Sequence, residues 1–531
     1  MPRNTVVSIL SAWMLFSLAA AAQTRFNPTT TLTAETSNNT SAADAFPGQS
    51  NGNAAAGNVS KVPLQSLLYS GSTAKLYAHL VQWFGYKNHV DVGYNSGDAL
   101  QVQKQVTDMV SRGLDGAIID WYGRGNTQKI LYANDESAQL LMHEAEQHPG
   151  FNFALMLDAG STRECEKERD CNPAENLIED LNYAYRTYEG SAAYLKQDGR
   201  PVVLFFGYEK YGIDWRRVRA RLDGNPVLIF RNSGAFNKKE SDGGFSWVAP
   251  LEADKRDPMA LDYLDYYYRT AQRHAGDFSL GSAYKGFDDS IALWGTKRSV
   301  EQQCGQTWLR SIAEADQFYS SQQQMIGIQL VTWNDYEEGT EFESGIENCV
   351  KIAAGTRGTS VFWKINGDDT TIDHYTVFLS QDGETLMPVA NAAADTRALN
   401  LAPFSLQPAE YTVYVKAVGK SSMTNHMSEG RRLTISASSS NVVNTASHVS
   451  AGMQVSVSGN GAAPAMVAVT LNGAFLPQQA LIDFGDGTIV AGQTSVEHVY
   501  RLSGTYTIMA TVENQAGLKS TKTAVVNVTA P

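Results

Sequence analysis

The sequence predicts an α/β protein: a (β/α)8 barrel of the TIM type, followed by two all-β sandwich domains. Three observations support this prediction. Between residues 63 and 353, short apolar runs rich in β-branched residues alternate with longer segments of helical periodicity. Eight such runs over about 290 residues are typical of an eight-stranded parallel barrel. From residue 354 onwards the pattern changes to short alternating strands without a helical period, which indicates sandwiches.

Each barrel strand is predicted from one apolar run, and the helices from the periodic segments between runs. The predicted strands span residues 75–83, 116–122, 153–158, 201–206, 226–230, 245–248, 283–287 and 326–333. The predicted helices span residues 99–113, 137–147, 173–185, 258–275 and 307–321. A doubly wound open sheet is the alternative, but no glycine-rich nucleotide fingerprint follows the first strand.

The N-terminus predicts export. Residues 1–4 are basic, residues 6–18 are apolar, and small residues run up to Ala22, as in a secretory signal peptide over residues 1–22. Its apolar stretch is too short for a membrane anchor. We therefore expect a secreted protein, whether extracellular, periplasmic or on the cell surface. Residues 23–62 contain almost no large apolar side chains, which predicts a disordered linker.

The composition limits the classes of partner. A net charge of −13 disfavours nucleic acid and anionic membranes and fits a neutral or cationic ligand, although acidity also serves solubility. No window beyond the N-terminal segment approaches a membrane span, so we expect no membrane insertion. No set of His, Asp and Glu has a recognisable metal-ligand spacing, and we expect neither a metal nor another cofactor.

The four cysteines fall in two pairs within the predicted barrel region. Cys165 lies close to Cys171, and Cys304 precedes Cys349. In an exported protein an even number of cysteines predicts disulfides, and pairing within each group is the simplest of three connectivities. A zinc site is the alternative, but no histidine lies near either pair with ligand spacing.

Residues 354–437 resemble a fibronectin type III domain. Trp363 and Tyr375 stand where the core aromatics of that family stand, and Tyr411 resembles its tyrosine near the last strands. The resemblance implies a spacer or adhesive module that could contact the cell surface or matrix. Because neither sandwich shows an acid pair, we expect residues 354–531 to be dispensable for catalysis.

Residues 438–531 resemble a polycystic-kidney-disease (PKD) domain. The resemblance is carried by Asp483-Phe-Gly-Asp486-Gly-Thr488, by a His-Val-Tyr run and by a Gly-Thr-Tyr run further on. Asp483 and Asp486 could bind calcium, and the alternative is that they stabilise the turn.

Polar and aromatic side chains recur at the ends of the predicted barrel strands, where the active sites of such barrels lie. Aromatic faces can stack on sugar rings while acids and amides bond to hydroxyl groups. The alternative for a single strand-end tryptophan, or for His79, is that it is a core residue. Asp158 could instead cap the next helix. The candidate substrate-binding residues are His79, Trp83, Asp120, Trp121, Tyr122, Asp158, Arg231, Trp247, Trp294, Trp333, Asn334, Tyr336 and Glu337.

Five carboxylates follow the last predicted barrel strand within a few residues. They are Asp335, Glu337, Glu338, Glu341 and Glu343, beside Trp333 and Tyr336. Such crowding is expected to raise the pKa of at least one carboxyl, and sugar cleavage uses two carboxyl groups with different protonation states. We expect Glu341 and Glu343 to be solvated or capping residues.

The same segment resembles two glycoside hydrolase families. Trp333-Asn-Asp-Tyr-Glu-Glu338 is similar to the Trp-Asn-Asp-aromatic-Gly-Glu segment of family 71, the endo-α-1,3-glucanases. The overlapping run from Asn334 to Thr340 is similar to the Asn-Glu-Trp-His-Glu-Gly-Thr motif of family 99, the endo-acting α-mannosidases and α-mannanases. The resemblance implies Asp335 as base, acting on water or on the 2-hydroxyl, and Glu338 as general acid. Glu337 departs from both families, which have Gly or His there.

Together these features predict a secreted glycoside hydrolase that cleaves an α-linked polysaccharide of the α-1,3-glucan or α-mannan class in endo fashion. The alternative from another class is a non-catalytic surface protein that binds glycans with a decayed barrel. A hydrolase for another linkage on the same barrel is a third interpretation.

Overall fold

The computed structural model describes residues 59–436 and 451–529, apart from 87, 125–128, 168–170, 251–256, 384, 405, 459–460, 474, 476–479, 487, 502 and 514–518. The predicted signal peptide and most of the predicted linker lie outside the described residues.

Eight parallel strands in the first part of the chain close into a barrel in the order β1-β2-β3-β5-β6-β7-β8-β11. Strand β11 pairs with β1, and β3 pairs with β5, so the ring has no free edge. The elements are β1 (Lys75–Leu80), α1 (Ala99–Ser111), β2 (Gly116–Trp121), α2 (Lys129–Ala145), β3 (Asn152–Asp158), α3 (Gly160–Glu166), α4 (Pro173–Thr187), β4 (Lys196–Gln197), β5 (Arg200–Phe206), α5 (Trp215–Arg219), β6 (Val227–Arg231), β7 (Gly243–Phe245), α6 (Leu261–Arg273), β8 (Phe278–Tyr284), β9 (Phe287–Asp288), β10 (Ser299–Val300), α7 (Gln306–Ala313) and β11 (Gly327–Val331). The closed parallel barrel confirms the coarse architecture expected from the alternating apolar runs.

The barrel strands are buried along most of their length because both faces are covered. Every residue of β2 and of β11 is buried, which is the pattern of strands between a barrel interior and an outer layer. The helical layer is uneven. Helix α5 has 5 residues, and the connection from β6 to β7 holds only a 3-10 helix over Ser233–Asn237. The outer layer is thus thinner than in a regular (β/α)8 barrel.

Two barrel strands lie earlier in the sequence than their apolar runs suggest. The expected strand at 245–248 is β7, which begins at Gly243, and the one at 283–287 is β8, which begins at Phe278. Both contain glycines that the packing requires. A Cβ at Gly243 would lie 1.8 Å from the Phe278 carbonyl oxygen, and one at Gly281 would lie 2.4 Å from the Tyr268 hydroxyl. Glycine has a low propensity for strands, but at these two positions the neighbouring atoms leave no room for a side chain.

Two disulfides are present, Cys165–Cys171 and Cys304–Cys349, which confirms the pairing within each group. The first links helix α3 to the segment before α4. The second joins Cys304, just before α7, to Cys349, which lies two residues before the first strand of the next part of the chain.

The middle part of the chain forms two antiparallel sheets around a shared apolar core, as expected for a sandwich. Strands β12, β13 and β16 form one sheet, and β14, β15, β17, β18 and β19 form the other. Trp363 and Tyr375 lie in the core with ring centroids 5.2 Å apart, and the Tyr411 hydroxyl donates to the Gln407 carbonyl. The strands are β12 (Lys351–Arg357), β13 (Ser360–Asn366), β14 (Ile372–Ser380), β15 (Met387–Ala393), β16 (Ala398–Asn400), β17 (Ala409–Gly419), β18 (His426–Met427) and β19 (Arg431–Ile435).

The loop between β17 and β18 of this sandwich docks into the barrel. Met423 is fully buried and belongs to the same apolar cluster as the barrel strands. The backbone N–H of Ile346 donates to Ser422 (2.9 Å), the Trp308 indole donates to Ser421 (3.2 Å), and the N–H of Ser60 donates to Met423 (2.8 Å). Ser60, which falls in the predicted linker, thus makes ordered contacts.

The last part of the chain forms a second pair of antiparallel sheets, β20-β21-β24 and β23-β22-β25-β26. At its turn, Asp483 accepts from the Gly485 N–H (2.8 Å), Asp486 accepts from the Thr488 N–H (3.0 Å), and His498 bonds to Asp486 (2.6 Å). These bonds favour a turn-stabilising role for both aspartates. The strands are β20 (Ala451–Val457), β21 (Ala465–Gly473), β22 (Leu481–Asp483), β23 (Ile489–Ala491), β24 (Ser495–Tyr500), β25 (Gly504–Glu513) and β26 (Lys519–Val528). Among the described residues, no helix has the length and apolarity needed to cross a bilayer.

Candidate functional site

The segment after β11 is a compact turn that holds Asp335 in place. The N–H of Asp335 donates to the Thr332 hydroxyl (2.8 Å), and the N–H of Thr340 donates back to the Asp335 carbonyl (3.1 Å). The Asp335 Oδ1 atom accepts from the N–H groups of Glu337 (3.1 Å) and Glu338 (2.9 Å). The carboxyl of Asp335 is therefore fixed by backbone donors at the end of a rigid strand.

Four carboxyl groups from three strand ends interact electrostatically at this mouth of the barrel: Asp120, Asp158, Asp335 and Glu338. Burial, followed by the charges of Asp158 and Asp335, raises the pKa of Asp120 well above its usual range. Burial raises the pKa of Asp158 to about 6, against a hydrogen bond from the Gly160 N–H. The cluster therefore holds protons at pH values where isolated carboxyls have lost them.

The two proposed catalytic carboxyls also have raised pKa values. For Asp335 the causes are burial and then the charge of Glu338, which the two backbone donors oppose. For Glu338 the cause is burial, and a hydrogen bond from the Trp294 indole and the charge of Arg298 act in the opposite direction. Both carboxyls therefore release their protons at a higher pH than isolated carboxyls do.

Asp120 has one carboxyl oxygen that lacks a hydrogen-bond partner within the described residues. Its Oδ1 atom is buried and has no hydrogen-bond partner within the described residues, while the Tyr122 hydroxyl bonds to the same carboxyl. The indole N–H of Trp83 is likewise buried without a partner in the described part of the chain. A buried donor and a buried acceptor that both lack partners fit polar groups of a bound molecule.

Aromatic rings line the same mouth. Trp83 lies edge to face with Tyr122 (6.4 Å between centroids) and with Trp294 (5.9 Å), and stacks on His89 (5.2 Å). Trp294 is 44% exposed, and its indole donates to Glu338 Oε1 (3.2 Å). The rings thus lie directly beside the carboxyl that is expected to act as the acid.

Glu337 is directed away from the pair by two bonds. Its Oε2 atom bonds to His89 Nδ1 (2.8 Å), and its Oε1 atom accepts from the Val90 N–H (3.1 Å). Glu337 therefore anchors the loop after β1 against the segment after β11. His89 is a site residue that the sequence did not indicate, because its loop carries no regular pattern and lies 248 positions from Glu337.

Glu343 is a buried structural residue, which corrects the expectation that it is solvated. Its carboxyl accepts from Tyr94 (2.9 Å), Gln105 (3.0 Å) and Tyr336 (3.0 Å), so its burial is compensated by three donors. Glu341 pairs with Lys285 at 2.7 Å. Tyr336 thus points its hydroxyl towards Glu343.

Three other predicted site residues support the structure around the mouth. Asn334 clamps the end of β1, accepting from the Val81 N–H and donating to the Val81 carbonyl, both at 2.9 Å. Trp333 is fully buried between the Arg112 guanidinium and Phe342. Trp121 donates to Asp135 (3.0 Å) in the helical layer. The structure does not bring Trp333 or Trp121 into the carboxyl cluster, because both rings pack against residues outside the barrel strands.

The remaining predicted residues lie within the barrel or at its rim. His79 is buried in the interior, where it bonds to Gln329 (3.1 Å) and meets the ring of Trp247 edge to face (4.7 Å). Burial lowers the pKa of His79 to about 3, so its imidazole is neutral. Arg231 pairs with Glu209 (2.9 Å) at the rim. Within the described residues, no group of three or more His, Cys, Asp and Glu side chains is arranged to hold a metal ion.

Comparison with known proteins identifies one part of the chain. Residues 442–529 match the PKD domain family. Among solved structures, the chain is similar to the PKD1 domain of Epp from Vibrio anguillarum, with 19% identity, a TM-score of 0.13 and coverage of 15% of this chain and 95% of that domain. No curated protein matches the chain. A PKD domain and two disulfides together suggest an extracellular protein.

Proposed function

We propose that this protein is a secreted glycoside hydrolase that cleaves an α-linked polysaccharide within the chain, of the α-1,3-glucan or α-mannan class. The observation that carries the proposal is the pair Asp335 and Glu338, held on one backbone turn after β11, with both pKa values raised by burial and that of Asp335 raised also by the charge of Glu338. The closed barrel of eight parallel strands and the family 71 and family 99 resemblance of the same turn support it. The preceding signal peptide and the following fibronectin type III-like domain belong to this proposal.

Glu338 is proposed as the general acid. A carboxyl that keeps its proton near neutral pH can give it to the glycosidic oxygen as the bond to the sugar breaks. Burial supplies the raised pKa of Glu338, and the Trp294 indole fixes the orientation of its carboxyl.

Asp335 is proposed as the base, acting on water or on the 2-hydroxyl of the sugar. The two backbone N–H groups that donate to its Oδ1 atom favour the ionised form, whereas its burial favours the protonated form. Protonation of one member of the pair relieves the repulsion on the other, so a proton on Glu338 allows Asp335 to ionise. The roles within the pair follow the family resemblance, and the variants below test them.

Substrate contact is proposed for the aromatic rim and for Asp120. Trp83 and Trp294 present ring faces and edges beside the carboxyls, and the free oxygen of Asp120 can bond to a sugar hydroxyl. Asp158 and Tyr122 complete the polar side of the mouth.

The test compares Glu338→Gln with Asp335→Asn on polysaccharides and on an aryl glycoside of the same sugar. Glu338→Gln should lower turnover of the polysaccharide by about 10²–10⁴-fold, and less on the aryl glycoside, whose leaving group needs little protonation. Asp335→Asn should impair both substrates. Glu410→Gln, an exposed carboxylate on the middle sandwich with 63% side-chain exposure, is the matched control and should change neither.

Product sizes from α-1,3-glucan, α-mannan and a panel of other polysaccharides identify the substrate class and the endo mode. Near-wild-type turnover of both variants would contradict these roles and favour another pair, such as Asp120 with Asp158. Binding without any cleavage by the wild-type protein would instead favour the glycan-binding alternative.

A further inference from the structure

The loop between β9 and β10 carries an exposed apolar tip at the barrel mouth. Leu293 is 77% exposed, Ile291 is 61% exposed, and Trp294 is 44% exposed. Side chains of this size in open solvent are unfavourable when grouped, and such groups commonly mark a binding surface.

The loop is firmly built, so its apolar tip is held in place. Asp289 at its base is fully buried and accepts from the backbone N–H groups of Thr296 (3.1 Å) and Arg298 (2.7 Å), and from the Arg298 guanidinium (2.9 Å). Strands β9 and β10 pair below this point, with Phe287 opposite Val300. The base of the loop is therefore an ordered hairpin.

The same loop is joined to the proposed acid at two points. The N–H of Asp288 donates to the Glu338 carbonyl (2.8 Å), and the Trp294 indole donates to the Glu338 carboxyl (3.2 Å). The ring of Trp294, which bonds to Glu338, is itself 44% exposed, and Leu293 precedes it in the sequence. The apolar tip thus adjoins the acid side of the carboxyl pair.

We propose that Ile291, Leu293 and Trp294 form the binding surface for the leaving side of the polysaccharide, the sugars released when the glycosidic oxygen takes the proton of Glu338. This inference rests on the proposed function. A general acid contacts the oxygen that departs, so residues that adjoin it on its outer side meet the departing chain. The C–H faces of sugar rings are the apolar part of a polysaccharide, and they match aliphatic and aromatic side chains.

The test measures how the loop affects a long leaving chain compared with a small one. The Ile291→Ser/Leu293→Ser double variant is assayed on the α-linked polysaccharide that the wild-type protein cleaves. It is also assayed on the 4-nitrophenyl glycoside of the oligosaccharide that the protein releases from it. The matched control is Leu100→Ser, a leucine of similar exposure (65%) on α1 that lies in neither proposed surface.

The double variant should lower kcat/KM on the polysaccharide by roughly three- to thirtyfold through lost apolar contact. Its kcat/KM on the 4-nitrophenyl glycoside should fall by less, so the ratio between the two substrates changes. Leu100→Ser should leave both values unchanged. An equal loss on both substrates, or no loss on either, would overturn the inference while the proposed function stands.

Two further outcomes are distinct. If the wild-type protein cleaves no α-linked polysaccharide in the panel, the proposed function fails, and the inference fails with it. If size-exclusion chromatography shows a wild-type dimer that the double variant dissociates, with an unchanged substrate ratio, the tip is a contact between two copies of the chain and the inference is wrong.

Discussion

The loop of the middle sandwich that enters the barrel should be essential for barrel stability. Met423 is fully buried among barrel residues, and replacing a buried methionine by alanine costs about 2–5 kcal/mol. We therefore expect Met423→Ala to lower the free energy of barrel unfolding by that amount. Met387→Ala is the matched control, because Met387 lies on the same sandwich and is 47% exposed, so the change should stay within about 0.5 kcal/mol.

The same contact bears on the expectation that residues 354–531 are dispensable. Removing them would take away Met423 and the carbonyl groups that accept from Trp308, Ile346 and Ser60, and would expose part of the barrel core. We now expect a protein ending at residue 353 to be unstable, and one ending at residue 436 to keep the barrel intact.

Urea unfolding followed by hydrolytic activity and by limited proteolysis of the barrel measures both effects. The proposed hydrolytic activity belongs to the barrel, so a local loss of the sandwich is distinguished from loss of the barrel. Equal unfolding midpoints for Met423→Ala and Met387→Ala, or a stable and active protein ending at residue 353, would refute the reasoning.

Three further predictions concern the carboxyl cluster. Trp294→Phe removes the donor that lowers the pKa of Glu338, so the alkaline limb of the pH profile of kcat/KM should move to higher pH, and an unmoved limb would argue against Glu338 as the acid. Asp120→Asn should raise the melting temperature more at pH 8 than at pH 4, because the raised pKa of Asp120 means that its ionisation opposes folding as pH rises. An equal rise in melting temperature at both pH values would contradict this pH dependence. His89→Ala and Glu337→Ala should each lower turnover. The double variant should be no worse than the more impaired single variant, because each substitution breaks the same 2.8 Å contact between the two side chains. Additive losses in this double-mutant cycle would show that the two side chains act separately.

Periodicity was sufficient to predict the barrel but not the exact position of every strand. Fully buried strands such as β2 and β11 are largely apolar, so the sequence marks them directly. Strands β7 and β8 contain Gly243 and Gly281, whose presence depends on neighbours that are remote in sequence. Local propensity cannot reveal such contacts.

The carboxyls of the site could be predicted because they follow one strand within a short segment. Asp335 and Glu338 are neighbours in sequence and share a turn, whereas His89 reaches Glu337 only through the closed barrel. The sequence also does not predict which way a side chain at the end of a strand points. Trp121 ends β2 and Trp333 follows β11, both beside site residues, yet both rings pack against residues of the outer layer. Burial of Glu343 depended on three donors that no local pattern contains.

The position of β11 between β1 and β8 determines when a growing chain can assemble its site. Asn334 bonds to Val81 across 253 positions, so both edges of the unfinished sheet stay open until ribosomes have passed the last barrel strand. Contacts between such distant residues make folding slow, and open strand edges favour aggregation during that time. Met423, which completes the apolar cluster of the barrel, is synthesised later still. A nascent chain therefore brings Asp335 and Glu338 to Asp120 and Asp158 only after the last barrel strand has been made, and shorter products of interrupted synthesis should carry no assembled carboxyl cluster.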